Sequence, residues 1–369
     1  MRKALIQITE RCDLRCAHCF VSATRAGADM TLAQLTPAAL DRLTRARVGN
    51  VTLTGGEPFV HPDLLEIVSR FTDHDMDVTI CTNAVSVSED AIQQLVGLGR
   101  VQVNVSLDGL SAESHGRFRG NRDSFAATLD NTRLLSDAGL LKGILSTPNS
   151  LAAPGEYARL NDLARQLQVE YLLLNPLSNF GRGVRSRGRL RAERTTMVAL
   201  KEELQQEMTR LSDRAWLSPQ PTSSSPTNPG REHEVVLVRF PNDEQPLSGC
   251  IAGDIFYVFV NGDTTVCPYL SFATQTPGAQ HRPEEFLVGN LFTSGDLPEQ
   301  LDRYVLAERY ELGSNRTCRS CALDSSCGKG CPAAVIAEGG RIGDLDEEVC
   351  PQVAPNSEEL MGAALRTEA

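Results

Sequence analysis

Ala4-Leu5-Ile6-Gln7-Ile8-Thr9-Glu10-Arg11-Cys12-Asp13-Leu14-Arg15-Cys16-Ala17-His18-Cys19 decides how this chain is read. An apolar, partly β-branched run at about 4–9 fits one buried strand. It breaks into a loop carrying three cysteines in C-x3-C-x2-C spacing. Further runs of the same kind lie at about 51–54, 77–81, 101–107, 140–146 and 170–175. Helical patterns follow near 32–47, 62–73, 88–98, 123–138, 155–168 and 192–213. This alternation specifies a parallel sheet wrapped by helices, and six units predict an α/β fold shaped as an open, partial barrel. The cysteine loop then leaves the C-terminal edge of that sheet.

The whole chain bounds what this edge can serve. With 369 residues and 41% hydrophobic content it has room for two domains, one with a large core. A net charge of −11 supplies no global positive field for nucleic acid. No run of eighteen apolar residues is present, and the apolar stretch in Met1-Arg2-Lys3-Ala4-Leu5-Ile6-Gln7-Ile8 is too short for a signal peptide, so a cytoplasmic protein without membrane contact is expected. Eleven cysteines in a reducing compartment read as metal sites rather than disulfides. The Pro- and Ser-rich stretch Ser218–Gly230 reads as an exposed linker or mobile lid. The expected division is a barrel at 1–215, a linker at 216–240, a smaller, loop-rich cysteine domain at 241–355 and a tail at 356–369. Within the second domain Phe256–Val266 predicts a hairpin turning at Asn261-Gly262.

Three close thiols are one fewer than a structural zinc or an ordinary [4Fe–4S] cluster takes, so one iron would be left for a non-protein ligand. A zinc knuckle completed by His18 is the alternative. Polar segments stand at the following strand ends, where a βα barrel builds its active site. They are Thr54-Gly55-Gly56-Glu57-Pro58, Cys81-Thr82-Asn83-Ala84, Ser106-Leu107-Asp108-Gly109, Ser146-Thr147 and Leu174-Asn175. His115-Gly116-Arg117-Phe118-Arg119-Gly120 follows the fourth strand. Farther on come Cys250, Gly262, Cys267, then Cys318-x2-Cys321-x5-Cys327-x3-Cys331, and Cys350. Taken alone, part of that series also suits a zinc ribbon.

Together these segments resemble the radical SAM superfamily, and the C-terminal cysteines resemble its SPASM extension. The resemblance implies a partial (β/α)6 TIM-like barrel with a smaller iron–sulfur domain. Three [4Fe–4S] clusters are implied: one on Cys12, Cys16 and Cys19, an auxiliary one on Cys250, Cys267 and Cys331, and a second on Cys318, Cys321, Cys327 and Cys350. The auxiliary pair has seven thiols, so one iron would be open or would take Asp254 or a thiolate outside the motif. The first cluster's free iron would bind S-adenosylmethionine, whose cleavage gives a 5′-deoxyadenosyl radical that removes hydrogen from an unreactive C–H bond.

The resemblance also distributes roles. Gly55 and Gly56 would admit the methionine amine, Glu57 with Pro58 would order the site, and Asn83 sits in a TNG-like segment where Ala84 replaces glycine. Ser106 and Asp108 would face the ribose. Arg119 would pair with the SAM carboxylate, a guanidinium fork being suited to it, or be a solvated surface arginine. Ser146, Thr147 and Asn175 would touch adenosine or substrate, or cap the next helix. Cys81 is a small buried core residue or, as in some peptide epimerases of the superfamily, a hydrogen-atom donor.

The implied function is modification of a ribosomally made peptide, crosslinking ahead of epimerisation. A radical dehydrogenase or epimerase of a small hydroxylated metabolite is the alternative, with a non-catalytic electron carrier behind it. Expected partners are a precursor peptide, a separate peptide-recognition protein because the chain starts almost at the first strand, and a flavodoxin- or ferredoxin-type reductant. The six arginines of Phe180–Arg194 read as a contact for an acidic peptide or as a solvated helix entry.

Overall fold

The computed structural model describes residues 1–215, 233–240 and 246–353, so most of the expected linker and the whole expected tail lie outside the described residues. The first six strands are β1 (Arg2–Thr9), β2 (Val48–Gly55), β3 (Asp77–Thr82), β4 (Val101–Ser106), β5 (Leu141–Ser146) and β6 (Tyr171–Leu174). They pair in parallel in sequence order. The intervening helices are α1 (Pro37–Arg45), α2 (Leu64–Thr72), α3 (Glu89–Leu98), α4 (Ser124–Asp137) and α5 (Glu156–Gln166). The expected helix at 32–47 starts later because Pro37 takes its first position and the Thr36 hydroxyl accepts the Ala39 N–H at 3.2 Å.

The parallel array is wider than the six strands expected. After α6 (Gly183–Leu190) and α7 (Arg194–Ala215), β7 (Glu234–Leu237) pairs in parallel with β6. On the other flank β8 (Ile255–Val258) pairs in parallel with β1, Leu5 opposite Tyr257. This closes an edge of β1 that would otherwise stand unpaired. The expected hairpin forms between β8 and β9 (Asp263–Thr265), and β10 (Leu287–Asn290) ends the sheet, in the order β10-β9-β8-β1-β2-β3-β4-β5-β6-β7.

The strand β1, which leads into the cysteine loop, is thus an interior strand, with Ala4, Ile6 and Ile8 fully buried and Gln7 and Thr9 buried on its other face. One hydrophobic cluster runs from Ile6, Leu53 and Ile80 through Phe256 and Val266 to Leu270, Phe286 and Ile336. The cysteine-rich C-terminal part packs on the barrel through that shared core.

Candidate active site

The end of β1 hands the chain to the cysteine loop, which the neighbouring strand holds by its backbone. The Gly56 and Glu57 N–H groups donate to Thr9 O and Arg11 O, each at 2.8 Å. A Cβ on Gly56 would stand 1.9 Å from Arg11 O, and one on Gly55, whose φ is +141°, 2.2 Å from Thr9 O. Both glycines are therefore required by the chain's own loop.

Glu57 is buried and joins the next two strand ends. One carboxylate oxygen accepts the Phe59 N–H at 3.0 Å and the Thr82 hydroxyl at 2.6 Å, and the other accepts the Asn83 N–H at 2.7 Å. Burial raises its carboxyl to about 7 against these hydrogen bonds. Asn83 donates to Asp13 at 2.7 Å and places its amide nitrogen 4.0 Å from Cys12 Sγ. Ala84 then turns with φ +58°. A left-handed turn explains why glycine is the ordinary residue there.

Asp108 and Arg119 form a buried pair on the opposite side, Nε to Oδ2 at 2.7 Å. The other Asp108 oxygen accepts the Thr147 N–H at 2.8 Å, and Arg119 Nη1 lies 4.0 Å from Cys16 Sγ. Burial opposes ionisation of Asp108, but Arg119 outweighs it and holds the carboxyl below the usual carboxylate range. Arg119 is thus no solvated surface arginine. His18 lies flat against Phe118, ring centres 4.5 Å apart, and burial lowers it to about 4, so the ring is neutral.

Ser106 is half-buried on β4, and the buried Pro58 opens a single helical turn over Pro58–Val60. The Asn175 N–H donates to Ser146 O at 2.9 Å. Cys81 lies on β3, its sulfur 3.9 Å from Asn104 Nδ2, and burial pushes its thiol up to about 11.

All eleven cysteines are free thiols. Cys12 and Cys16 are buried, which raises them to about 12 and about 11, with Cys16 and Cys19 as charged neighbours in turn. In the C-terminal part burial pushes the Cys250 and Cys267 thiols up, with Cys331 nearby adding to each, and burial pushes Cys350 up, with Cys318, Cys327 and Cys321 adding to it. Asp254 is exposed.

Sequence reasoning missed several supporting residues. Asp13 receives Asn83 and, at 2.7 Å, Ser86. Arg182 clamps the cysteine loop by donating to Cys16 O at 2.8 Å and Ala23 O at 2.6 Å. Arg187 pairs with Glu338 and Arg191 with Glu348, so part of the arginine-rich stretch ties α6 to the C-terminal part, while Arg185 and Arg189 are exposed. A run of arginines was the signal, but its partners lie 150 residues away.

Residues 6–165 match the Radical SAM superfamily. This segment belongs to the radical SAM superfamily. Among curated proteins, the mycofactocin maturase MftC of Mycobacterium ulcerans (strain Agy99) is 28% identical over 348 residues, 93% of this chain and 86% of that protein. The subtilosin biosynthesis protein AlbA of Bacillus subtilis (strain 168) is 31% identical over 185 residues, 49% of this chain and 40% of that protein. The fold matches Streptococcus suis SuiB bound to S-adenosylmethionine with a TM-score of 0.67 at 18% identity, covering 94% of this chain and 76% of that one.

Membership implies one [4Fe–4S] cluster and S-adenosylmethionine in this radical SAM enzyme, and its residues fit them. Buried, unpaired thiols with hydrogen-bond donors aimed at sulfur are a suitable donor set: Leu14 N–H points at Cys12 Sγ at 3.4 Å. Among the described residues no three His, Cys, Asp or Glu side chains are close enough to share a single ion. A polynuclear cluster, whose ligands bind different irons, suits a wider set. Past the ends of the strands His18 Nδ1 and His115 Nε2, and at the end of β5 Ser146 Oγ, are buried with no hydrogen-bond partner among the described residues, the condition expected of polar atoms that face a polar group. Among the described residues no helix is long and apolar enough to cross a membrane.

Proposed function

We propose that this radical SAM enzyme modifies a ribosomally synthesised precursor peptide, forming a crosslink or functionalising a C–H bond, with epimerisation second. One observation carries this reading: the likeness to the mycofactocin maturase MftC extends over 93% of the chain, well beyond the matched barrel segment. A relative of the same fold, SuiB, has been solved bound to its precursor peptide SuiA, with a TM-score of 0.68. A second reading, a non-peptide substrate, is favoured by the AdoMet-dependent heme synthase of Methanosarcina barkeri (strain Fusaro / DSM 804), 26% identical over 72% of this chain.

In this proposal Cys12, Cys16 and Cys19 hold the SAM-binding cluster, and the two C-terminal thiol groups hold auxiliary [4Fe–4S] clusters, three in all. The bound cluster and SAM supply a 5′-deoxyadenosyl radical. The chain's own residues provide its surroundings. Glu57 fixes the ends of β2 and β3 around the thiols, and Asp108 orients Arg119 beside Cys16, where its remaining N–H groups suit the SAM carboxylate. Gly55, Gly56, Pro58, Asn83, Ser106 and Asn175 shape the same edge. Cys81 is assigned to packing on β3, where its sulfur lies 3.9 Å from Asn104 Nδ2. The electron source is a flavodoxin- or ferredoxin-type protein, a separate recognition protein presents the peptide, and the setting is the cytoplasm.

The peptide reading predicts a short open reading frame beside this one, and the test is incubation of the reconstituted enzyme with SAM, reductant and the peptide such a frame encodes. A loss of two hydrogen masses supports crosslinking, an unchanged mass with altered stereochemistry supports epimerisation, and 5′-deoxyadenosine without any change in the peptide argues for the non-peptide reading.

A further inference from the structure

Between the two C-terminal thiol groups stands a buried ion pair that no cysteine motif contains. Arg239 follows β7 with φ +53°. Its Nη1 donates to Asp346 Oδ2 at 2.6 Å, and its Nη2 donates to Asp346 Oδ1 at 3.2 Å and to Glu348 Oε2 at 2.8 Å. The Asp346 side chain is 3% exposed and that of Arg239 18%. Asp346 reaches both cysteine groups: its carboxylate accepts the Cys331 N–H at 2.9 Å, and its backbone carbonyl accepts the Cys350 N–H at 3.0 Å. Cys331 also lies close enough for its sulfur to act electrostatically on the guanidinium. The space is tight, since a Cβ on Gly330, whose φ is +77°, would stand 2.7 Å from Asp346 Oδ2.

We propose that Arg239 and Asp346 act as opposed positioning residues that set the reduction potential of the auxiliary cluster held by Cys250, Cys267 and Cys331. The inference rests on the three-cluster reading. A thiolate-bound cluster becomes more negative when reduced. A fixed positive charge beside it stabilises the reduced form, and a nearby carboxylate opposes it. The low dielectric of the buried pair makes both effects larger than a surface charge could achieve. Arg239 comes from the barrel sheet and Cys331 from the loop region, so the barrel itself takes part in tuning a distant centre.

The experiment is a potentiometric titration followed by electron paramagnetic resonance on the full, reconstituted chain. The variants are Arg239→Gln, Arg239→Lys and Asp346→Asn. Arg239→Gln is expected to lower the midpoint potential of the Cys331-dependent signal, Asp346→Asn to raise it, and Arg239→Lys to fall between Arg239→Gln and wild type. The Cys350-dependent signal moves less in each case. Shifts of the same sign in Arg239→Gln and Asp346→Asn, or unchanged potentials at full iron content, overturn the inference. Should Arg239→Gln lose iron, Asp346→Asn decides alone: it keeps the guanidinium and the backbone bond to Cys350, and no upward shift contradicts the proposal. A wild-type chain with no signal abolished by Cys331→Ser fails the three-cluster reading itself, which iron content tells apart from a failure of the tuning.

Discussion

The two cysteine regions are built on opposite plans. The N-terminal loop leaves an eight-residue strand held on both edges, and Glu57, Asn83 and Asp108 reach it from just past the ends of β2, β3 and β4. The C-terminal thiols sit between short pieces such as the helices Arg316–Arg319 and Pro332–Ala337. Local donors hold their sulfurs: Asn315 Nδ2 at 3.3 Å from Cys318 Sγ, Leu323 N–H at 3.4 Å from Cys321 Sγ and Lys329 N–H at 3.4 Å from Cys327 Sγ. The first region is a site that a sheet prepares and a cofactor enters. In the second, on the proposed three-cluster reading, a bound group would replace regular structure as the thing packed around.

That contrast breaks most easily under chelation. Stripping iron from the reconstituted chain is expected to reduce amide protection across 311–353 by roughly 100-fold or more, while β2, β3 and β4 keep theirs. Hydrogen exchange read by mass spectrometry checks it, and equal loss in both regions would erase the distinction.

A smaller effect sharpens the first half of the comparison. Glu57→Ala leaves two backbone N–H groups and the Thr82 hydroxyl without their acceptor, a loss of about 2–4 kcal/mol in barrel stability by denaturant unfolding. In the metal-free chain Glu57 also gives a pH signature. Its folded carboxyl is raised to about 7 from an ordinary 4.5, so the folded state keeps a proton that the unfolded chain releases. The resulting stabilisation is fully present below pH 4.5 and is lost as the pH rises toward 7. Wild-type stability relative to the non-titrating Glu57→Gln variant should therefore fall across that window.

The smallest expected change has the opposite sign. Ala84→Gly relieves a left-handed non-glycine residue at φ +58° and should raise stability by roughly 0.5–1 kcal/mol, less whatever the lost methyl contributed to packing. A lowered stability would mean that the buried methyl outweighs the turn.

Much of this architecture was legible because the strands and cysteine spacings are local signals. The apolar runs at β1 to β6 fell where expected, and the Gly55-Gly56-Glu57-Pro58 segment marked the end of β2. The pairing of β8 with β1 left no local trace, since a parallel partner 250 residues away imposes no turn sequence. The helix α6 was obscured by Gly183 and Gly188, which weaken helical propensity, and by arginines whose acidic partners Glu338 and Glu348 lie far along the chain. Asp13 and Arg182 were illegible for a related reason: what they hold is other loop residues and backbone carbonyls, and neither type of contact has a spacing to read.

The most direct measurement is anaerobic reconstitution followed by addition of SAM and dithionite, with iron and 5′-deoxyadenosine determined in the same sample. Three cubane clusters predict about twelve irons per chain together with 5′-deoxyadenosine. Zinc in place of iron, or iron without cleavage of SAM, would contradict the account.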